Sequence, residues 1–197
     1  MLTCYFSSHA DAENRDLFRD ILSTYFAEVI DITEKHNLPS VKPGSILISD
    51  RTTFFFSEDY ISQFEMAFNV HPSLLPKHKG SFPVLWACLA GDQHGVSIHV
   101  MNADVDAGDI VWQRVVPYED SETFSQVFYR SRQYIVHGLH QVCSRIVSNK
   151  VFDGAISQEP DSFHHKKKDG EKLLALMPKR WHTSIAEARS AVESSNI

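Results

Sequence analysis

The stretch Asn69-Val70-His71-Pro72-Ser73-Leu74-Leu75-Pro76 decides how this chain is read. Side chains alternate across an extended strand, so Asn69 and His71 leave the same face. Pro72 cannot continue a strand and biases His71 toward an extended backbone. A carboxamide and an imidazole therefore stand together at a strand end. Further along, Asp104-Val105-Asp106-Ala107-Gly108-Asp109 supplies an acidic loop. A hydrogen-bond donor, a proton carrier and an acid are the parts needed to move an acyl group.

Around this centre the pattern alternates strands with helices. Met66 to Val70 reads as the strand that delivers Asn69, and Leu2 to Ser7, Glu28 to Thr33 and Gly44 to Ser49 as further strands, with Pro39 and Pro43 marking a link. Leu17, Phe18, Ile21, Leu22 and Tyr25 recur at helical spacing and predict an amphipathic helix over Asp11 to Phe26. Ser57 before Glu58 and Asp59 predicts an N-cap and a short helix ending near Phe64. Phe82 to Ala90 predicts a helix stopped by Gly91. Val96 to Met101 and Ile110 to Val116 read as strands joined by the acidic loop, and Ser121 to Ser148 as one helix; beyond Asn149 the pattern weakens. The fold class implied is α/β, an open, mostly parallel sheet flanked by helices, with ligands off the carboxyl ends of its strands.

Composition narrows the class. With 197 residues, 43% hydrophobic and 22% charged, the chain suits one domain with a real core. It contains no apolar run of about eighteen residues, so no membrane span is expected. The start, Met1-Leu2-Thr3-Cys4-Tyr5-Phe6, lacks the basic flank and long apolar core of a secretion signal. Cys4, Cys88 and Cys143 are scattered and odd in number, which suits reduced thiols and a cytoplasmic location. A formal charge of -6 argues against a broad nucleic-acid surface but leaves room for a small basic pocket for one phosphorylated ligand.

Each site residue has an ordinary explanation when taken alone. An Asn before a loop forms turns, a His at a strand end bonds its neighbours, and an Asp beside Gly108 shapes a loop. A calcium loop is excluded, because counting from Asp104 position six is Asp109 and position twelve is Val115, not Gly and Glu. A zinc site from His71, His99 and Asp106 lacks the H-x-x-x-H or cysteine pair that such sites use.

Taken in order, Asn69-x-His71-Pro-Ser-Leu-Leu-Pro-Lys77, then Gly80, His94-Gly-Val-Ser-Ile-His-Val100 and Asp106-x-Gly-Asp109 resemble the formyltransferase family that uses 10-formyltetrahydrofolate. The likeness is dense from Ser45 to Gln113. It implies a Rossmann-like formyltransferase domain over residues 1–150, with 151–197 a carboxyl-terminal extension of the same unit. It also implies that Asn69, His71 and Asp106 are the catalytic residues, and that no metal takes part. The folate of relatives, carried onto this chain, meets Thr53, Phe54 and Phe56 and then Met101, Asn102, Ala103, Asp104 and Val105. The run Phe54-Phe55-Phe56 reads equally as core packing.

The chemistry fits those residue types. Formyl transfer to an amine passes through a tetrahedral species with a negative oxygen, which fixed donors stabilise. Asn69 offers such a donor. His71 offers another if protonated, or accepts the amine's proton if neutral. Asp106 can fix the imidazole or order a water that relays protons.

The acceptor is read from two further stretches. Gly80-Ser81-Phe82-Pro83-Val84-Leu85-Trp86-Ala87 resembles a segment of sugar-nucleotide and methionyl-tRNA formyltransferases. Ser162-Phe163-His164-His165-Lys166-Lys167-Lys168-Asp169 is similar to the Tyr-His-x-x-Lys-Asp segment of sugar N-formyltransferases. With Lys77, His165 and Lys166 as substrate-binding candidates, the expected acceptor is the primary amine of a nucleotide-linked amino sugar, and a homodimer is an open expectation. The bland reading of the basic run is a solvated loop, and its functional reading is a binding place for a nucleotide diphosphate or another anion. Glycinamide ribonucleotide or a siderophore precursor are alternative amines, and a folate-binding relative without turnover is another. The first strand runs into Ser7-Ser8-His9-Ala10 with no glycine to approach a phosphate, unlike glycinamide-ribonucleotide formyltransferases. The length leads us to expect none of the extra barrel domain of methionyl-tRNA formyltransferases.

Overall fold

Residues 2–10, 12–148, 152, 154–159 and 163–195 are described in the computed structural model. The strands are β1 (Thr3–Ser7), β2 (Glu28–Ile32), β3 (Ile46–Asp50), β4 (Met66–His71), β5 (Gly95–Val100) and β6 (Ile110–Val115), and the helices α1 (Arg15–Tyr25), α2 (Glu58–Ile61), α3 (Pro83–Ala90), α4 (Phe124–Val147), α5 (Lys167–Leu176) and α6 (Ile185–Ser194). The strands form one six-stranded sheet in the order β2-β1-β3-β4-β5-β6. Pairings from β2 to β4 are parallel, and β5 and β6 are added antiparallel.

Alternation along each inner strand feeds two cores. Cys4, Phe6, Ile46, Ile48, Phe68 and Val70 join Phe18, Ile21 and Leu22 of α1 and Ile135, Leu139 and Val142 of α4. The residues between them, Tyr5, Leu47 and Ala67, pack with Tyr60 and Phe64. A third cluster lies off the sheet: Val84, Leu85 and Cys88 of α3, Phe124 and Val127 of α4, and Leu174, Met177, Ile185 and Ala188 of the carboxyl-terminal segment. Asn69 and His71 share the alternation of Ala67, so the larger core fixes their strand while leaving their side chains outside it.

Local chemistry sets the element ends. Ser57 Oγ accepts the Tyr60 N–H at 3.3 Å, capping α2. Gly91, at φ 70, ends α3 in the left-handed conformation that suits glycine. Thr123 and Gln126 make a capping box at the start of α4.

Several boundaries differ from the sequence reading. The first helix starts at Arg15, because Asn14 takes a left-handed backbone (φ 62) that interrupts any earlier turn; Asp11 lies outside the described residues. Leu17, read as part of the apolar face, is 47% exposed, since Phe18, Ile21 and Leu22, with Tyr25 beside them, face the core. The second helix stops at Ile61, short of Phe64. Helices α5 and α6 were not foreseen. Gly170 sits inside α5, where a Cβ would come 2.3 Å from the Phe82 ring, so close packing replaces helix propensity there. Asn149, Ser162 and the boundary at 150–151 lie outside the described residues.

One buried ion pair ties α4 to the end of β3. Arg132 donates to both oxygens of Asp50 at 2.7 Å, and its guanidinium lies 4.2 Å over the Phe18 ring. The bidentate fork and the aromatic face satisfy a charge pair that would otherwise be costly to bury.

Candidate active site

Strand β4 ends by presenting Asn69 and His71 together, and β5 brings a third side chain beside them. The antiparallel register sets Asn69 opposite His99 and His71 opposite Ser97. Directly opposed residues share a face. Ser97 therefore holds the turn that follows Pro72. Its Oγ donates to the Ser73 carbonyl at 2.7 Å and accepts the Leu75 N–H at 3.2 Å, while Gln113 Nε2 donates to the Leu75 carbonyl at 2.8 Å.

The loop after β5 delivers Asp106. Its backbone is left-handed (φ 50), a conformation aspartate tolerates better than most residues. At Gly108 a Cβ would lie 2.0 Å from the Val100 carbonyl oxygen, so the Asp-x-Gly spacing reflects a close backbone approach. Gln158 Nε2 braces the loop from outside, donating to the carbonyls of Asp106 (3.1 Å) and Gly108 (2.6 Å).

Asp106 is the hub. Its Oδ2 accepts the Gly80 N–H at 2.8 Å and faces His71 Nδ1 at 3.3 Å; its Oδ1 accepts from Asn69 Nδ2 at 3.1 Å and faces His99 Nε2 at 3.4 Å. Burial alone would raise its pKa, but His71, His99 and the Gly80 N–H outweigh that and hold the carboxyl well below the usual carboxylate range. It stays ionised.

His71 is 5% exposed. Burial lowers its pKa below the ordinary imidazole value, while Asp106 and the His78 carbonyl pull the other way. Both ring nitrogens face acceptors, Nδ1 toward Asp106 and Nε2 toward the His78 carbonyl at 2.9 Å. The neutral ring can satisfy only one of them, so an incoming proton finds an acceptor waiting.

Asn69 is more constrained than its sequence suggests. His99 Nδ1 donates to the Val100 carbonyl at 2.8 Å, and its Nε2 lies 3.2 Å from Asn69 Nδ2, which also donates to Asp106 Oδ1 at 3.1 Å. The Asn69 amide is thus held between Asp106 and His99.

These groups open onto a cavity of about 440 Å³. One wall carries Phe54, Phe56 and the residues from Met101 to Val105; the other carries Phe82, Phe128 and Trp181. The first rests on the Tyr5 and Leu47 core, the second on the cluster off the sheet. The Asn69–Asp106 centre lies between them.

The other candidates divide. Thr53 is exposed and off the wall; its neighbour Thr52 lines the cavity, anchored by Ser7 Oγ (2.8 Å) and Ser49 Oγ (3.0 Å). Lys77 turns to Asp92, 2.6 Å away. His165 is stacked on Trp86 at 4.2 Å and on His78 at 5.6 Å, and burial lowers it to about 4, so it is uncharged near neutrality. Lys166 is the exposed N-cap of α5. None of Lys77, His165 and Lys166 lines the cavity; the run contributes Lys167 instead. Among the described residues no group of three or more His, Cys, Asp or Glu side chains is arranged to hold a metal ion. No helix of the described residues is long and apolar enough to cross a membrane.

Sequence reasoning weighed His99 only as a zinc ligand, took Lys167 only as part of the basic run that could hold a nucleotide diphosphate, and passed over Arg51. His99 was visible in His-Gly-Val-Ser-Ile-His-Val, but only the β4–β5 register sets it beside Asn69. Arg51 carries no local signal, and only the fold brings it and Lys167, from distant segments, to the same cavity.

The sequence model of the formyl transferase family matches residues 53–143, the span that holds Asn69, His71, His99 and Asp106. The crystal structure of the formyltransferase PseJ from Anoxybacillus kamchatkensis is similar with a TM-score of 0.82 at 28% identity, covering 96% of this chain and 99% of that one. Residues 53–143 thus carry a formyl transferase domain. PseJ was solved with UDP-4,6-dideoxy-4-formamido-L-AltNAc and tetrahydrofolate. Among curated relatives within reach of this family, the bifunctional polymyxin resistance protein ArnA of Wigglesworthia glossinidia brevipalpis is 29% identical over 137 residues, 68% of this chain and 21% of that protein. The methionyl-tRNA formyltransferase of Lactobacillus gasseri is 34% identical over 112 residues, 48% of this chain and 36% of that protein. The chain thus spans between about a fifth and about a third of the length of these two curated relatives.

Proposed function

We propose that this chain transfers the formyl group of 10-formyltetrahydrofolate to the primary amine of a nucleotide-linked amino sugar. The observation that carries this reading is the convergence of Asn69, His71 and Asp106 on one cavity between two apolar walls. The ligands of PseJ, a folate and a UDP-linked formamido sugar, support the pair of substrates.

The amine nitrogen attacks the formyl carbon, and the carbonyl electron pair moves onto oxygen. Neutral His71 takes the proton that the amine sheds, and the resulting imidazolium is stabilised by Asp106 beside Nδ1. The oxyanion draws an N–H of Asn69 away from His99 or Asp106, a donor worth about 3–4 kcal/mol of activation energy. Collapse of the tetrahedral species expels the folate nitrogen, which takes the proton back from the His71 imidazolium and leaves the ring neutral. The flat pterin fits the wall of Phe54, Phe56 and Met101, with the backbone from Met101 to Val105 available to read its edge.

Methionyl-tRNA is a second acceptor, favoured by the 34% identity to a methionyl-tRNA formyltransferase; the formal charge of -6 weighs against a surface for RNA. The experiment is a panel assay with purified protein and 10-formyltetrahydrofolate, offering UDP- and dTDP-linked 3- and 4-amino sugars, glycinamide ribonucleotide and methionyl-tRNA. Tetrahydrofolate release that depends on an amino sugar nucleotide supports the reading. Release with another acceptor alone, or folate binding without consumption, overturns it.

A further inference from the structure

The charged groups of the cavity are segregated. The carboxylates Asp104 and Asp106 belong to the loop after β5, whereas Arg51 and Lys167 supply the lysine and arginine charge of the wall. The Arg51 guanidinium lies 5.4 Å from the Phe128 ring centre. Phe128 is 6.4 Å from Trp181, which stacks on Phe82 at 5.9 Å. Phe82 in turn meets Gly170 of α5, the helix that Lys167 begins. Arg51, Phe128, Trp181, Phe82 and the helix that Lys167 begins are therefore linked by successive contacts along the cavity lining.

Arg51 is aimed by its surroundings. It follows Asp50, which Arg132 grips at 2.7 Å with both nitrogens, and its own backbone is held left-handed at φ 54. No hydrogen bond to a protein acceptor engages its guanidinium among the described residues. Lys167 faces Glu171 at 3.8 Å, an exposed pair that solvent screens and a doubly charged ligand displaces.

We infer that Arg51 and Lys167 clasp the diphosphate of the acceptor, with Phe128 and Trp181 offering apolar faces to its nucleoside. This rests on the nucleotide-linked acceptor proposed above. An amine presented to His71 sets its diphosphate about one hexose ring away within the same cavity, where the Asp104 and Asp106 carboxylates repel it and Arg51 and Lys167 attract it. A guanidinium fork matches phosphate oxygens in pairs, and an ammonium adds a movable point charge. Aromatic faces take a base without reading its sequence of donors. The glutamate carboxylates of a folate share this anionic chemistry, and the test separates the two sources.

Calorimetric titration with UDP and, separately, with tetrahydrofolate is to be run on the wild-type chain, Arg51→Met, Lys167→Met and the double variant. Both side chains are exposed, so the fold is not at stake. The expected result is about a tenfold or greater rise in the UDP dissociation constant for each single variant, with tetrahydrofolate binding within about twofold of wild type. Trp181→Leu weakens UDP binding but leaves inorganic pyrophosphate binding unchanged. UDP binding that is insensitive to both substitutions overturns the clasp. Loss of tetrahydrofolate binding in its place assigns the cations to the folate tail and also overturns it. Turnover of UDP-amino sugars by variants with unaltered Michaelis constants sinks the clasp alone. A wild-type chain that binds neither UDP nor dTDP sinks the nucleotide-linked acceptor as well.

Discussion

The Gly80 N–H donates to Asp106 Oδ2 across 2.8 Å, joining the turn after β4 to the loop after β5. Gly80 is itself clamped, because the Lys79 carbonyl accepts the His165 N–H at 2.9 Å and the Ser81 N–H donates to the His165 carbonyl at 2.9 Å. The carboxyl-terminal segment thus holds a group that orients the central acid. At φ +88, a Cβ on residue 80 would lie 2.4 Å from the His165 carbonyl oxygen. Gly80→Ala is therefore expected to shift the turn and lower turnover roughly ten- to a hundredfold, the value of one hydrogen bond to a charged group. Steady-state kinetics beside tetrahydrofolate binding will check it: unaltered turnover dismisses the role.

Asn69→Ala is expected to lower kcat by about two to three orders of magnitude with little change in folate affinity, since its contact to the oxyanion strengthens only in the transition state. His99→Gln should produce a smaller drop, because Asn69 loses the partner that sets the angle of its amide. A defect in folate binding as large as the defect in kcat would remove Asn69 from the chemistry.

The pH dependence follows from His71. Burial sets its pKa below the ordinary 6.5, so the ring is neutral and proton-accepting at neutrality. The kcat/KM for the acceptor is then expected to fall with acid in a limb whose midpoint lies below 6.5. An acid limb centred above it, once the titration of the acceptor amine is corrected for, contradicts a neutral His71.

Stability should depend on pH through His94. Its Nε2 donates to Ser131 Oγ at 2.8 Å, whose own hydroxyl is given to the Val127 carbonyl, while Nδ1 is buried without a partner. Burial depresses its pKa from 6.5 to about 4. Above pH 6.5 neither the folded nor the unfolded chain carries this proton. Between 6.5 and about 4 only the unfolded chain takes it up, so stability falls as the pH drops through that window. The loss is on the order of 3 kcal/mol when complete. Urea midpoints at several pH values, compared with His94→Gln, measure it; identical slopes for both proteins would exclude His94 as the source.

Arg132→Met leaves Asp50 buried with its charge uncompensated, at a cost of about 3–5 kcal/mol. Reversible denaturation should register this loss, and adding Asp50→Leu should restore part of it. A single substitution that is silent would mean that solvent reaches Asp50.

Much of the architecture was legible because it depends on short-range rules. Alternation marked the inner strands, Ser57 and Gly91 marked helix ends, and the two-residue spacing set Asn69 and His71 on one face. What escaped depends on partners far away in the chain. α5 opens with two lysines after a lysine N-cap and contains a glycine, so it reads as solvated loop until Phe82 fills the space of the missing side chain. α6 buries only Ile185 and Ala188, too little apolar surface to make a clear stripe. Lys77 faces Asp92 and His165 faces Trp86 because those neighbours are nearer than the cavity, and no sequence interval reports that.

The span matched by the family ends at residue 143 and begins at 53, so Arg51, Lys167 and Trp181 all fall beyond it. On the proposed function, the reaction centre and the folate wall lie within this span, and the two cations assigned to the acceptor lie outside it. Such a division would let a flanking segment change the recipient without disturbing the residues that hand over the carbon.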